Sequence, residues 1–102
     1  MNSPLPVRIV DSAARAIEEA AKWWATNRPK APDAFVVDFE NALKLIASYP
    51  SIGARARNAE MEDVHRVHLA RVRYHLYYRV TREPSIQVLA LWHTSRSDFP
   101  KL

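Results

Sequence analysis

The chain has 102 residues, 48% of them hydrophobic and 25% charged, which suits one globular domain over residues 1–102. It has no cysteine, which excludes disulfides and thiolate metal sites and fits a reducing compartment. The net charge of +4 and pI of about 9.8 suit an acidic partner, nucleic acid or protein, as well as they suit plain solubility. No apolar run reaches the ~18 residues of a membrane-spanning helix, so no membrane association is expected. The start, "MNSPLPVRIVDSAA", lacks the charged segment and long apolar run of a signal peptide. A single glycine, Gly53, leaves no glycine-rich phosphate loop.

"PVRIV" (6–10) is a short run of strand-forming residues. Asp11 then offers an N-cap, and the Ala- and Glu-rich run from Ser12 to about Thr26 predicts a helix. Its apolar stripe is Ala13, Ile17, Ala20 or Ala21, and Trp24. The neighbouring Trp23 falls on another face, so one indole belongs to the core and the other to the surface or an interface. "NRPKAP" breaks the helix. Pro32 in a first turn, with Asp33 beside it, predicts a second helix to about Ser48 that buries Phe35, Phe39, Ala42 or Leu43, and Ile46. Two amphipathic helices on a short link pack as an antiparallel hairpin.

"SIGARARNAEMED" reads as loop. Strands follow at about 64–70, 73–81 and 85–92. The last is apolar on both faces and is expected to be central. The order β-α-α-β-β-β predicts an α+β fold, a helical hairpin on one face of a mostly antiparallel four-stranded sheet.

In "RYHLYYRV" (73–80), Tyr74, Leu76, Tyr78 and Val80 form one row and Arg73, His75, Tyr77 and Arg79 the other. The first row reads as core. Val67 and Leu69 share that side, which sets Arg66 and His68 on the open face, with His68 near His75. His93 and Arg96, past the last strand, are expected to extend this basic face from its edge. Guanidinium and imidazole groups in this array suit phosphate binding, or RNA cleavage with His as acid or base and Arg against the phosphorane charge. Exposed sheet faces also carry charge with no further role. No metal site is expected: His65 and His68 point to opposite faces, and no HExxH occurs. No nucleophile-elbow motif is present either.

Over nearly its whole length the chain resembles the RelE/ParE toxin superfamily. "AIEEAAKWWATNRPKAPDAFVVDFENALKLIASYPSIG" is similar to that superfamily's helical hairpin. "VHRVHLARVRYHLYYRV" resembles its basic-strand hairpin, and "IQVLALWHTSR" its last strand. The resemblance implies a cytoplasmic toxin of a type II toxin–antitoxin pair, of use in plasmid stabilisation and growth arrest. It implies a cognate antitoxin that wraps the toxin, and a complex that binds operator DNA through the antitoxin. No cofactor is implied.

Two activities are implied as alternatives. RelE-like members cleave mRNA in the ribosome, and ParE-like members block DNA gyrase without nuclease activity. Carried over residue by residue, a nuclease would use Arg66, His68, His75 and Arg96. His75, however, stands where the third-strand arginine of the cleavers belongs, Thr94 falls near their fourth-strand arginine, and Phe99 is the only late aromatic. The ending "YYRV…LALWHTSRS" resembles ParE-like members, with Arg73, His75, Tyr77, Arg79, His93 and Arg96 as the implied target-binding set. Gyrase inhibition is therefore the expected function. Ribosome-dependent mRNA cleavage is the alternative, and a non-toxic interaction module of the same fold is a further one.

Overall fold

A computed structural model describes residues 3–56 and 59–102 of the chain. The first strand, β1, is Val7–Ile9, and α1 follows at Asp11–Asn27. Asp11 lies inside the first turn of α1 rather than capping it; Val10 holds the cap position. Its carboxylate still sits near the helix's positive end. The second helix, α2, spans Ala34–Ser48, and Asp33 rather than Pro32 stands at its start. β3 (Val64–Leu69), β4 (Tyr74–Val80) and β5 (Ile86–His93) form the expected antiparallel meander.

Among the described residues the sheet has five strands, not four, in the order β1-β5-β4-β3-β2. The added strand, β2, is Ala54–Arg55, paired antiparallel with His65 and Arg66 inside the stretch expected as loop. Arg57 and Asn58 of that stretch lie outside the described residues. A two-residue edge strand carries no alternation to read. β1 adds parallel to β5, Val7 opposite Ile86. β5 is interior, but β4 is the middle strand.

Both helices lie on one face of the sheet. Ala13 and Ala20 of α1 and Phe35, Phe39 and Ile46 of α2 are buried against Leu69, Leu76, Tyr78, Ile86, Val88 and Leu91. Small alanines let α1 approach closely, and the large rings of α2 fill the space. Phe35 stacks on Phe39 at 5.9 Å and meets Tyr74 edge-on at 5.4 Å.

The opposite face has a core of its own. Val64, Tyr77 and Leu89 are buried there, with Ala56, Ala59, Trp92 and Leu102 packed around them. A bulge makes this possible: Tyr77 pairs with Ala90 but Tyr78 with Val88, so Leu89 is the extra residue. The segment after β5 folds back over this cluster. Trp92 Nε1 donates to the Asp98 carbonyl at 2.9 Å, and the amides of Glu60 and Met61 donate to the Leu102 carbonyl at 2.7 and 3.2 Å. Tyr77, expected on an open face, is therefore only 4% exposed.

Gly53 is required by packing rather than by its backbone angles. A Cβ there would meet Tyr78 Oη at 2.8 Å and the Arg66 carbonyl at 3.0 Å. Neither neighbour can yield, since Tyr78 is fully buried and the Arg66 carbonyl belongs to β3. Gly53→Ala is expected to destabilise the protein by about 1–3 kcal/mol, the range for overpacking. A urea-unfolding midpoint equal to wild type would overturn this.

Candidate functional site

Strand pairing brings His68 and His75 directly opposite each other, with Trp92 on the far side of His75. The imidazole centroids are 5.0 Å apart. Arg66 lies one pair further along, opposite Tyr77. Three of the sequence-expected residues, Arg66, His68 and His75, thus form one contiguous patch. Tyr77 forms its floor, and a pocket of 300 Å³ between Arg66, Tyr77, Phe99 and Pro100 flanks it.

Arg96 reaches the patch from the segment after β5. Its guanidinium lies 3.6 Å from the centre of the Trp92 ring and bonds both Asp98 carboxylate oxygens at 3.1 and 3.2 Å. Its charge is partly spent within the molecule. Arg79 sits at the other end of the face, opposite Val64 and Gln87, and donates to Gln87 Oε1 at 2.8 Å. Arg8 of β1 lies beyond Gln87 and reaches Glu83 at 3.4 Å.

Arg73 and His93 do not join this face. His93 pairs with Tyr74, on the helix side, and meets its ring edge-on at 5.0 Å. Arg73 precedes β4 in a left-handed conformation, φ 64°. Both line a cleft of 700 Å³ with Trp23, Trp24, Arg28 and Arg71. Two local features place them there. Alternation along β5 returns the side chain after Trp92 to the helix side, and a tight turn removes Arg73 from the strand's alternation altogether.

Sequence reasoning missed Trp92, Arg28 and Arg71. Trp92 takes its place in the His75 row through a register that Leu89 interrupts, so strand alternation alone did not reveal it. Arg28 and Arg71 come from two distant turns, with no local pattern to link them.

His75 is the electrostatic centre of the open face. Its Nδ1 is buried and has no hydrogen-bond partner among the described residues. Burial first, then the charges of Arg66 and His68, push its pKa below the ordinary 6.5. The neutral ring is favoured, so His75 gives this face no fixed cation at neutral pH. A stability effect follows with a definite sign. Below pH 6.5 the unfolded chain takes up a proton that native His75 resists. The contribution is whole above that value and is lost as pH falls through it toward the depressed native value. His75→Gln is expected to flatten this acid arm in urea unfolding followed across the window. An unchanged slope would refute the assignment.

Among the described residues, no group of three His, Cys, Asp or Glu side chains is placed to hold a metal. Among the same residues, no helix is long and apolar enough to cross a membrane.

The family described as "ParE toxin of type II toxin-antitoxin system, parDE" matches residues 7–98. No curated protein sequence matches the chain. Solved structures share the fold, among them the following two. A chain of the chromosomal ParDE toxin–antitoxin system from P. aeruginosa superposes with a TM-score of 0.69 at 18% identity, covering 89% of this chain and 97% of that one. The isolated E. coli RelE toxin superposes with a TM-score of 0.62 at 19% identity, covering 92% and 88%.

Proposed function

The chain belongs to the ParE toxin family of type II toxin–antitoxin systems, and from that premise we propose that it arrests growth by binding DNA gyrase, not by cutting RNA. As a type II toxin it has a cognate antitoxin for its partner. The toxin acts in the cytoplasm, where gyrase works, and the toxin–antitoxin complex binds operator DNA through the antitoxin.

The observation that carries the gyrase reading is His75. It stands where a cleaving relative would need a permanent guanidinium, and its environment favours the neutral ring. An imidazole held neutral cannot supply the bidentate charge that stabilises a phosphorane. Arg96, the other candidate, is engaged by Asp98 and Trp92. What remains on the face is a set of guanidiniums around aromatic rings, which suits carboxylate-bearing protein surfaces.

One observation favours the second reading, ribosome-dependent mRNA cleavage. Two imidazoles 5.0 Å apart can divide the roles of acid and base, with Arg66 beside them. A single pair of assays separates the two. The purified toxin is expected to abolish gyrase supercoiling at near-stoichiometric amounts and to leave mRNA intact in a translation reaction. Supercoiling untouched at high excess would sink the gyrase reading, and codon-linked cuts would establish the other.

A further inference from the structure

The cleft that holds Arg73 and His93 lies apart from the face argued for gyrase, and its composition is distinctive. We propose that it binds single-stranded nucleic acid, with bases stacked on the Trp23 indole and phosphates held by Arg28 and Arg73. The proposal goes beyond the gyrase reading and does not depend on it.

Aromatic rings form both walls. Trp23 is 46% exposed although the core lies one residue away, and Trp24 stands 5.9 Å from it, edge to face. Across the cleft are the Tyr74 and His93 rings. Such a grouping presents π-faces to a flat ligand. The Arg28 guanidinium carbon already lies 4.9 Å from the Trp23 ring centre and 5.6 Å from that of Trp24. That guanidinium is placed to meet a phosphate next to a stacked base.

The charge is one-sided. Among the described residues, no acidic side chain lines the cleft. Arg71 is engaged by both Asp38 oxygens, whereas Arg28 and Arg73 take part in no ion pair among the described residues. Arg73 also keeps a positive φ, where glycine is the easy choice. The position therefore retains a long cation at some backbone cost, a pattern that clusters at functional sites.

An acidic peptide fits less well. Extended peptides bind by completing a sheet edge, and the strand at this cleft, β4, is already paired on both sides. The Arg73 carbonyl is taken by the Thr94 amide at 2.9 Å. Carboxylates would satisfy the arginines but leave the exposed Trp23 face unused, whereas on the gyrase face the Tyr77 ring is buried and has no face to offer. Duplex DNA fits less well too, because its bases are stacked on each other and cannot reach Trp23.

The test uses the full-length toxin and fluorescently labelled oligo-dT and oligo-U, read by anisotropy at low salt. Both are expected to bind, with affinity falling as salt rises. Preference for one identifies the cleft's ligand as DNA or RNA, and either result supports the proposal. Trp23→Ala is expected to weaken binding by about 10-fold, the loss of one stacked base. Arg73→Glu should weaken it by about 10-fold or more, through loss of a phosphate contact and local repulsion. Arg82→Glu makes the same change in net charge at the exposed turn beyond the other end of β4, and should cost less than about 3-fold at this separation. Circular dichroism confirms that each variant is folded. Equal losses in Arg73→Glu and Arg82→Glu would reduce the binding to net charge and overturn the proposal. So would no binding, an inert Trp23→Ala, or equally tight binding of oligo-glutamate.

Discussion

Tyr78→Ala is expected to destabilise the protein by about 3–5 kcal/mol, the range for truncating a fully buried aromatic ring. Tyr78 has 0% exposure and lies on the middle strand. Its ring stacks on His65 at 5.6 Å. Its hydroxyl donates to the Pro50 carbonyl at 2.8 Å and accepts from the Gly53 amide at 3.0 Å. His65 contributes a second tether, its Nδ1 lying 3.0 Å from the Gly53 carbonyl. The segment between α2 and β2 is thus pinned to the sheet by one phenol and one imidazole. Burial raises the phenol's pKa, which keeps the proton that the Pro50 bond needs. Tyr78→Phe separates the two contributions. It keeps the ring and strands the buried Gly53 amide and the part-buried Pro50 carbonyl, so about 1–3 kcal/mol should be lost. Urea unfolding measures both variants. A loss under ~1 kcal/mol for Tyr78→Ala, far below the aromatic range, would mean that the ring is not a core element.

The second large effect concerns gyrase, the proposed target. Arg79→Ala with Arg96→Ala is expected to raise the toxin concentration for half-inhibition of gyrase by roughly 100- to 1,000-fold. Truncating one partner of a desolvated charge pair costs about 2–5 kcal/mol, and the two residues flank the open face from opposite ends. Each is already oriented within the free protein, Arg79 by Gln87 and Arg96 by the Trp92 ring. Little ordering is then required on binding. His75→Ala, in contrast, should leave inhibition within a few-fold of wild type, because a neutral, half-buried ring offers a gyrase surface little charge to read. The supercoiling assay decides both. Full inhibition by the double arginine variant would remove this face as the contact, and loss of inhibition in His75→Ala would restore the imidazole to a central role.

Several features were legible in the residues because they rest on periodicity. The i, i+3, i+4 spacing of Ala13, Ile17, Ala20 and Trp24 sets the buried face of α1, and Phe35, Phe39 and Ile46 do the same for α2. Alternation placed Leu76 and Tyr78 under the helices and Arg66 with His68 away from them. The nearness of His68 to His75 followed from a short turn between strands of matched parity, and the structure supplies the exact register that pairs them. The family resemblance rested on the order of these elements, and the match over residues 7–98 agrees with it.

What stayed hidden depends on contacts between distant segments. The bulge at Leu89 arises where two strands must each bury side chains on both faces, which neither strand's pattern reveals. The covering of Tyr77 needs the segment after β5 to fold back, and nothing in "SRSDFPKL" has a period to announce it. β2 exists only because β3 offers an edge. The cleft of Trp23, Arg28, Arg73 and His93 joins the end of a helix, a link and two strand ends. By itself, then, the sequence determined the two helices, the three meander strands, the face of each that meets the helical hairpin and the superfamily, because local spacing and burial set those. Only the tertiary structure decided which cations share a surface, which are spent on neighbours and which remain free, because those depend on register, turns and the path of the chain's last residues.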